Sequence, residues 1–175
     1  MKRLFLLRHA KSSWHDPSLP DIQRPLNARG RAAAPEIGRY ISRRSYAPAL
    51  ILCSTAQRTV DTLDLVAPFL PRKTAIVYEA GLYLAEASEL LTRVQWIDEE
   101  AQSAMIIGHN PGMHDFALML CGLGDDRPPP SAAARRLIEK FPTAGLAVID
   151  FEVPSWRKVK AGGGTLSDYV RPKDL

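Results

Sequence analysis

Four apolar residues, Leu4-Phe5-Leu6-Leu7, run straight into an Arg8-His9 pair close to the start of the chain. An apolar run this short, rich in Leu and Phe, reads as a buried strand rather than a helix. Strands without polar alternation belong to sheets covered on both faces, which are mostly parallel. In open parallel sheets, chemistry gathers at the carboxyl ends of the strands, where Arg8 and His9 stand. Arg8 carries a planar, permanently charged fork suited to phosphate. The same charge disfavours protonation of the neighbouring imidazole, so His9 is expected to be neutral and able to act as a nucleophile.

The pattern repeats downstream. Ala49–Cys53 is a second apolar run, followed by a helix with Val60, Leu63, Ala67 and Leu70 on one face and Arg58 in its first turn. Ser54 or Thr55 is expected to cap it. Ala104–Gly108 is another run and ends at a second histidine, His109. There Asn110-Pro111 reads as an N-cap with proline at the first helical position, ahead of Met113, Phe116, Ala117 and Leu120. A short strand is expected at Ala75–Tyr78, a helix from Ser88, a short basic helix over Ser131–Phe141, a strand over Leu146–Val153 and a last hairpin strand near Gly162–Gly164. Ala33, Ile37, Tyr40 and Ile41 recur at helical spacing. Pro35 suggests that this helix starts near Ala32, with the proline in its first turn. Strands alternating with helices predict a three-layer α/β/α sandwich with a mainly parallel central sheet, formed by one domain over residues 1–175.

Composition narrows the function. Residues 1–50 hold ten Lys/Arg against three Asp/Glu, and the remainder thirteen against sixteen. A basic first third suits an anionic ligand. No Lys/Arg-rich block interleaved with aromatics is present, so nucleic acid is not expected. No stretch approaches a membrane span, and Lys2-Arg3 before four apolar residues is too short for a secretory signal. Cys53 and Cys121 stand far apart, which points to a reducing, cytoplasmic compartment. Cys53 and Arg58 are one residue too close for a thiol phosphatase, and Cys53 reads as a small buried hydrophobe. No metal-ligand spacing is present, so neither metal nor cofactor is expected. His15 and His114 read as a loop residue and a structural one.

Leu7-Arg8-His9, Arg24-Pro25-Leu26 followed by Gly30, Ser54–Thr62 and Ile106-Ile107-Gly108-His109-Asn110 together resemble the histidine phosphatase (phosphoglycerate-mutase-like) superfamily. The short length and Arg8–Trp14 are most similar to its small SixA-type phosphohistidine phosphatases. The resemblance implies that His9 is the nucleophile taking up the phosphoryl group, Arg8 and Arg58 its clamps, and His109 a donor to a phosphoryl oxygen. It also implies that Arg24 approaches the phosphate, with Ser12 and Asn110 lining the pocket. Wider-family members carry an acid after the third strand. Glu79, Glu86 and Glu89 fall in that region without a clear match, and Glu86 is the nominal candidate. The implied function is hydrolysis of phosphohistidine in a protein. The alternatives are a small-molecule phosphomonoesterase or mutase, and a phosphate-binding module without turnover. Little chain remains for lid insertions, so a shallow pocket is expected, with a basic rim from Lys11 and Arg24 and walls from Trp14–Gln23 and Leu123–Pro130.

Overall fold

The computed structural model describes residues 1–175. The strands are β1 (Lys2–Arg8), β2 (Leu50–Ser54), β3 (Ala75–Glu79), β4 (Ser103–Gly108), β5 (Leu146–Phe151) and β6 (Thr165–Val170). The helices are α1 (Ala28–Arg43), α2 (Gln57–Val66), α3 (Ala87–Gln95), α4 (Gly112–Cys121) and α5 (Ala132–Glu139). One six-stranded sheet runs in the order β3-β2-β4-β1-β5-β6. Its first four strands are parallel; β5 runs antiparallel to β1, and β6 antiparallel to β5.

Side chains alternate across a strand, and here both faces are covered. Leu4, Leu6, Leu52, Ala104 and Ile106 pack with residues of α3 and α4. Phe5, Leu7, Ile51, Cys53, Met105 and Ile107 pack with residues of α1 and α2. This accounts for the unbroken apolar runs. The fold is the expected α/β sandwich, with two strands turned against the parallel set. No helix is long and apolar enough to cross a membrane.

Three helix starts differ from the sequence expectation. α1 begins at Ala28, four residues early, because the Asn27 side chain accepts the Gly30 amide. Pro35 therefore lies inside the helix, where it forfeits one backbone hydrogen bond. α2 is capped by neither Ser54 nor Thr55: its N-cap is Ala56, without a side-chain cap. Ser54 instead ends β2, fully buried. At α4 the N-cap is Pro111 rather than Asn110; the Asn110–Pro111 bond is cis, and the Asn110 amide donates to the Phe141 carbonyl.

Candidate active site

Register brings the two histidines together. β1 and β4 are paired neighbours with Arg8 opposite Gly108, so His9 and His109 leave the sheet side by side. Their ring centroids are 5.2 Å apart. β2 flanks β4 on its other side, with Cys53 opposite Ile107. That places Ser54 beside His109, and its hydroxyl lies 2.8 Å from His109 Nε2. All of this happens at the carboxyl edge of the parallel strands.

His9 is nearly buried, and its Nδ1 lies 2.7 Å from the Ala10 carbonyl. A carbonyl can only accept, so Nδ1 carries the proton and Nε2 keeps its lone pair. Burial lowers the His9 pKa to about 3, helped by His109, Arg8 and Arg58 against the opposing Ala10 hydrogen bond. Burial likewise lowers His109 to about 3, with Arg58 and Arg8 adding to it and Asp21 opposing. Both rings are neutral at neutral pH. His109 Nδ1 is buried without a partner.

Two arginines face this pair. Arg58 lies in the first turn of α2, almost wholly buried. Its Nη1 donates to the Asp21 carbonyl (2.8 Å) and its Nη2 to Asp21 Oδ2 (3.0 Å), which leaves Nε buried and unpaired. Arg8 repeats the arrangement: Nη1 donates to the Phe141 carbonyl at 3.0 Å, and Nε is buried with no partner. Burial, and then Arg58, depress the Arg8 pKa. Each guanidinium is thus held by one end while its Nε edge stays unspent. Two like charges beside two neutral imidazoles make a site that an oxyanion completes.

The motif around Arg58 explains how this geometry is held. Thr59 Oγ1 donates to the Ser54 carbonyl. Asp61 accepts the Leu26 amide, and Thr62 Oγ1 accepts the Ala10 amide at 2.9 Å. One turn of helix therefore ties β2, the loop after β1 and the Arg24-Pro25-Leu26 segment together.

Asp21 and Tyr83 belong to the site and were not singled out from the sequence. Asp21 Oδ1 accepts Arg24 Nε at 3.1 Å, and Oδ2 accepts the Tyr83 hydroxyl at 2.5 Å beside Arg58. The Tyr83 hydrogen bond, then Arg58 and Arg24, lower the Asp21 pKa to about 2. The Tyr83 ring stands edge-on to His109, with centroids 5.5 Å apart. The only hint in the sequence was an Asp three residues before Arg24, in a loop rich in polar residues and proline.

The other candidate residues have these partners. Arg24 is buried: Nε binds Asp21, Nη2 donates to Ser12 Oγ at 3.1 Å, and the guanidinium stacks 3.3 Å from the Trp14 ring centroid. Ser12 Oγ accepts from Arg24, and the Asn110 amide donates to the Phe141 carbonyl. None of the three glutamates hydrogen-bonds the histidines or their arginines. Glu79 is bound bidentately by Arg93. Glu86, the nominal acid, is the N-cap residue of α3, and its backbone amide donates to the Glu89 carboxylate. The carboxylate that the site does contain is Asp21. The segment Leu123–Pro130 follows α4 and lines a separate pocket with Cys121 and Ile138. Cys53 is fully buried, and burial raises its thiol to about 12, the inert hydrophobe that was expected. His114 donates to the Leu137 carbonyl, a structural role; His15 is exposed.

Two neutral histidines and two arginines at one edge of a six-stranded sheet form a site suited to a phosphoryl group. The chain belongs to the histidine phosphatase superfamily (branch 1), whose model matches residues 4–83. Within that family its likeness is to SixA-type proteins. It superposes with TM-score 0.81 and 33% identity on the SixA of Agrobacterium tumefaciens, described as a candidate phosphohistidine phosphatase, over 98% of both chains. A protein histidine phosphatase SixA complexed with tungstate shares the fold, with TM-score 0.77 and 19% identity over 99% of both chains. An uncharacterized protein of Mycobacterium tuberculosis is 30% identical over 95% of this chain and 100% of its own length.

Proposed function

We propose that the chain hydrolyses a phosphoryl group through a phosphohistidine intermediate on His9, and that its substrate is phosphohistidine in a protein. One observation carries this reading: a buried, neutral imidazole, its Nδ1 on the Ala10 carbonyl and its Nε2 without a hydrogen bond in the chain, stands near two arginines whose Nε groups are unpaired. Nε2 attacks phosphorus and a P–N bond forms; the P–N bond of the ring-protonated substrate phosphohistidine breaks, and its imidazole leaves neutral with the bonding pair. The Nδ1 proton stays on the ring and is donated to the Ala10 carbonyl, which supports the imidazolium so formed. Arg8 and Arg58 neutralise the equatorial oxygens, where charge stabilisation supplies most of the catalysis. Ser54 donates to His109 Nε2, so His109 presents Nδ1–H as a further donor. Water then attacks phosphorus, the P–N bond breaks, and phosphate leaves with the proton. Covalent catalysis divides one difficult displacement into two easier ones.

Two features support a protein phosphohistidine. No carboxylic acid stands free to protonate an alkoxide, and an imidazole leaving group needs that help less. The chain between Arg58 and His109 is also largely taken up by α2, β3 and α3, so it offers few remote contacts to a small ligand to drive turnover. Two free thiols, Cys53 and Cys121, fit a cytoplasmic setting. Trapping is the test. Wild type should yield an acid-labile, base-stable phosphoenzyme, His9→Ala should lose turnover with its fold intact, and tungstate should inhibit competitively. Full activity in His9→Ala would sink the mechanism. If sugar phosphates reached kcat/KM of ~10⁵ M⁻¹s⁻¹, an ordinary enzyme value, while phosphohistidine proteins stayed inert, the substrate assignment would fall and the nucleophile would stand.

A further inference from the structure

Beside the catalytic pocket, at the same edge of the sheet, lies a second cleft of about 230 Å³. Five of its lining residues are basic: Lys11, Arg29, Lys140, Arg171 and Lys173. They come from four distant segments, and topology explains their meeting. Lys11 follows the carboxyl end of β1. Arg29 is in the first turn of α1. β5 is antiparallel to β1, with Leu146 opposite Leu7, so residues 140–145 precede it at that edge. β6 is antiparallel to β5, with Val170 opposite Leu146, so Arg171–Lys173 emerge there too.

The charges in this cleft are largely uncompensated. Arg171 is paired with Asp174 at 2.9 Å, and Glu139 stands near it. Lys11, Arg29, Lys140 and Lys173 make no ion pair. Gathering free cations around one concavity raises the local potential and concentrates anions. It does nothing for folding, where like charges repel.

The cleft shares a wall with the catalytic pocket. Lys140, Pro142 and Thr143 line the cleft. Phe141, in the same strip, gives its carbonyl to Arg8 and Asn110, and the Ala144 amide donates to the carbonyls of Arg8 and His9. The volume falls below the ~300–1,000 Å³ that whole small ligands occupy, so it suits one group of a larger molecule.

We propose that this cleft is a second anion subsite, holding another anionic group, phosphate or carboxylate, of the molecule whose phosphoryl group is delivered to His9. The word substrate here rests on the phosphatase reading; anion binding in the cleft does not. The experiment starts from ¹⁵N-labelled protein titrated with inorganic phosphate. Two sets of shifted amides are expected, one around His9 and one at Lys11, Thr143 and Lys173. In the double variant Lys140→Glu/Lys173→Glu, both sites being exposed, the second set should need about tenfold more phosphate, a loss of ~1.4 kcal/mol. The first set should stay within about twofold. A single set confined to His9 overturns the subsite. If phosphohistidine substrates prove inert, this titration is unaffected, so the two failures are distinguishable.

Kinetics then names the source of the anion. Phosphohistidine peptides flanked by Glu or by Gln are compared, and small molecules bearing two phosphates or one. An about tenfold KM rise in the double variant with kcat held, for the more anionic member of either pair alone, supports the subsite. Equal KM changes for both members of both pairs mean a diffuse field and overturn it. If neither pair is turned over, the titration decides.

Discussion

Asp21 shows how one residue can set the chemistry of several others. Its main chain and carboxylate hold the end of Arg58, and its second oxygen holds Arg24. The carboxylate is itself partly exposed, at 43%, so its worth is positional rather than a matter of stability. Asp21→Ala should leave Arg58 charged but unaimed, and a misplacement of about 1 Å at such a site costs on the order of 10²-fold. Steady-state kinetics should show the loss in kcat more than in KM. An unchanged kcat would mean that the Arg58–Asp21 pair is ornamental. Arg58→Lys should cost ~100-fold, the scale of losing one charge-stabilising donor, since an ammonium cannot be held at one end and present Nε at the other. A loss below threefold would show that Arg58 points away from the phosphate. His9 should remain the Nδ1–H tautomer from pH 5 to pH 8, because its pKa is lowered to about 3. Long-range ¹H–¹⁵N spectra would show this directly, and a titration near pH 6.5 in the free protein would contradict it.

At the scale of elements, close approaches hold the loops that carry the site. Gly30, on α1, lies against the loop after His9: a Cβ there would sit 2.2 Å from the Lys11 carbonyl oxygen. Gly30→Ala must push helix and loop apart. Overpacking of this kind costs typically ~1–3 kcal/mol. Denaturant titration should show that loss, and turnover should fall with it because Ala10 and Ser12 move. Asn27→Ala, which removes only the α1 cap, should cost about 1 kcal/mol and leave turnover nearly intact. Equal effects on activity would argue that the loop is not positioned by this contact. The same elements show where reading the chain succeeds and where it does not. β1, β2 and β4 were legible because both of their faces are buried, and the runs are therefore apolar throughout. The start of α1 was obscured by Pro35, whose cost the remaining fifteen helical residues absorb. The Ser54 hydroxyl looked like a cap because residue type announces a donor and acceptor, not which neighbour will use it.

For the whole molecule, two imidazoles buried in the neutral form couple stability to pH. Their folded-state pKa values, about 3 each, lie below the unfolded value. The unfolded chain therefore binds more protons in between, and stability rises with pH across that window. It is fully present above about pH 6.5 and is lost as pH falls toward 3, each histidine costing about 1.4 kcal/mol per pH unit inside the window. Asp21, lowered to about 2, adds only below the ordinary carboxylate range. Chemical denaturation at pH 7 and pH 5 should show a clear drop, and His109→Gln should shrink it. A flat profile would mean that the imidazoles are hydrated.

What the sequence determined by itself is the set of strands that must be central, the edge at which they end, and the identity of Arg8, His9, Arg58 and His109 as groups standing there. Local composition suffices for that, since apolar runs and the residues just past them are features of a few consecutive positions. The tertiary structure decided what those groups touch. That Arg24 pairs with Asp21 and stacks on Trp14, that Glu86 caps a helix, that Asp21 and Tyr83 stand beside Arg58, and that five cations from four segments share one cleft all depend on strand order and register. Those are set by packing between residues tens of positions apart. No window of sequence contains them, because the hydrogen bonds concerned are made only once the sheet is assembled.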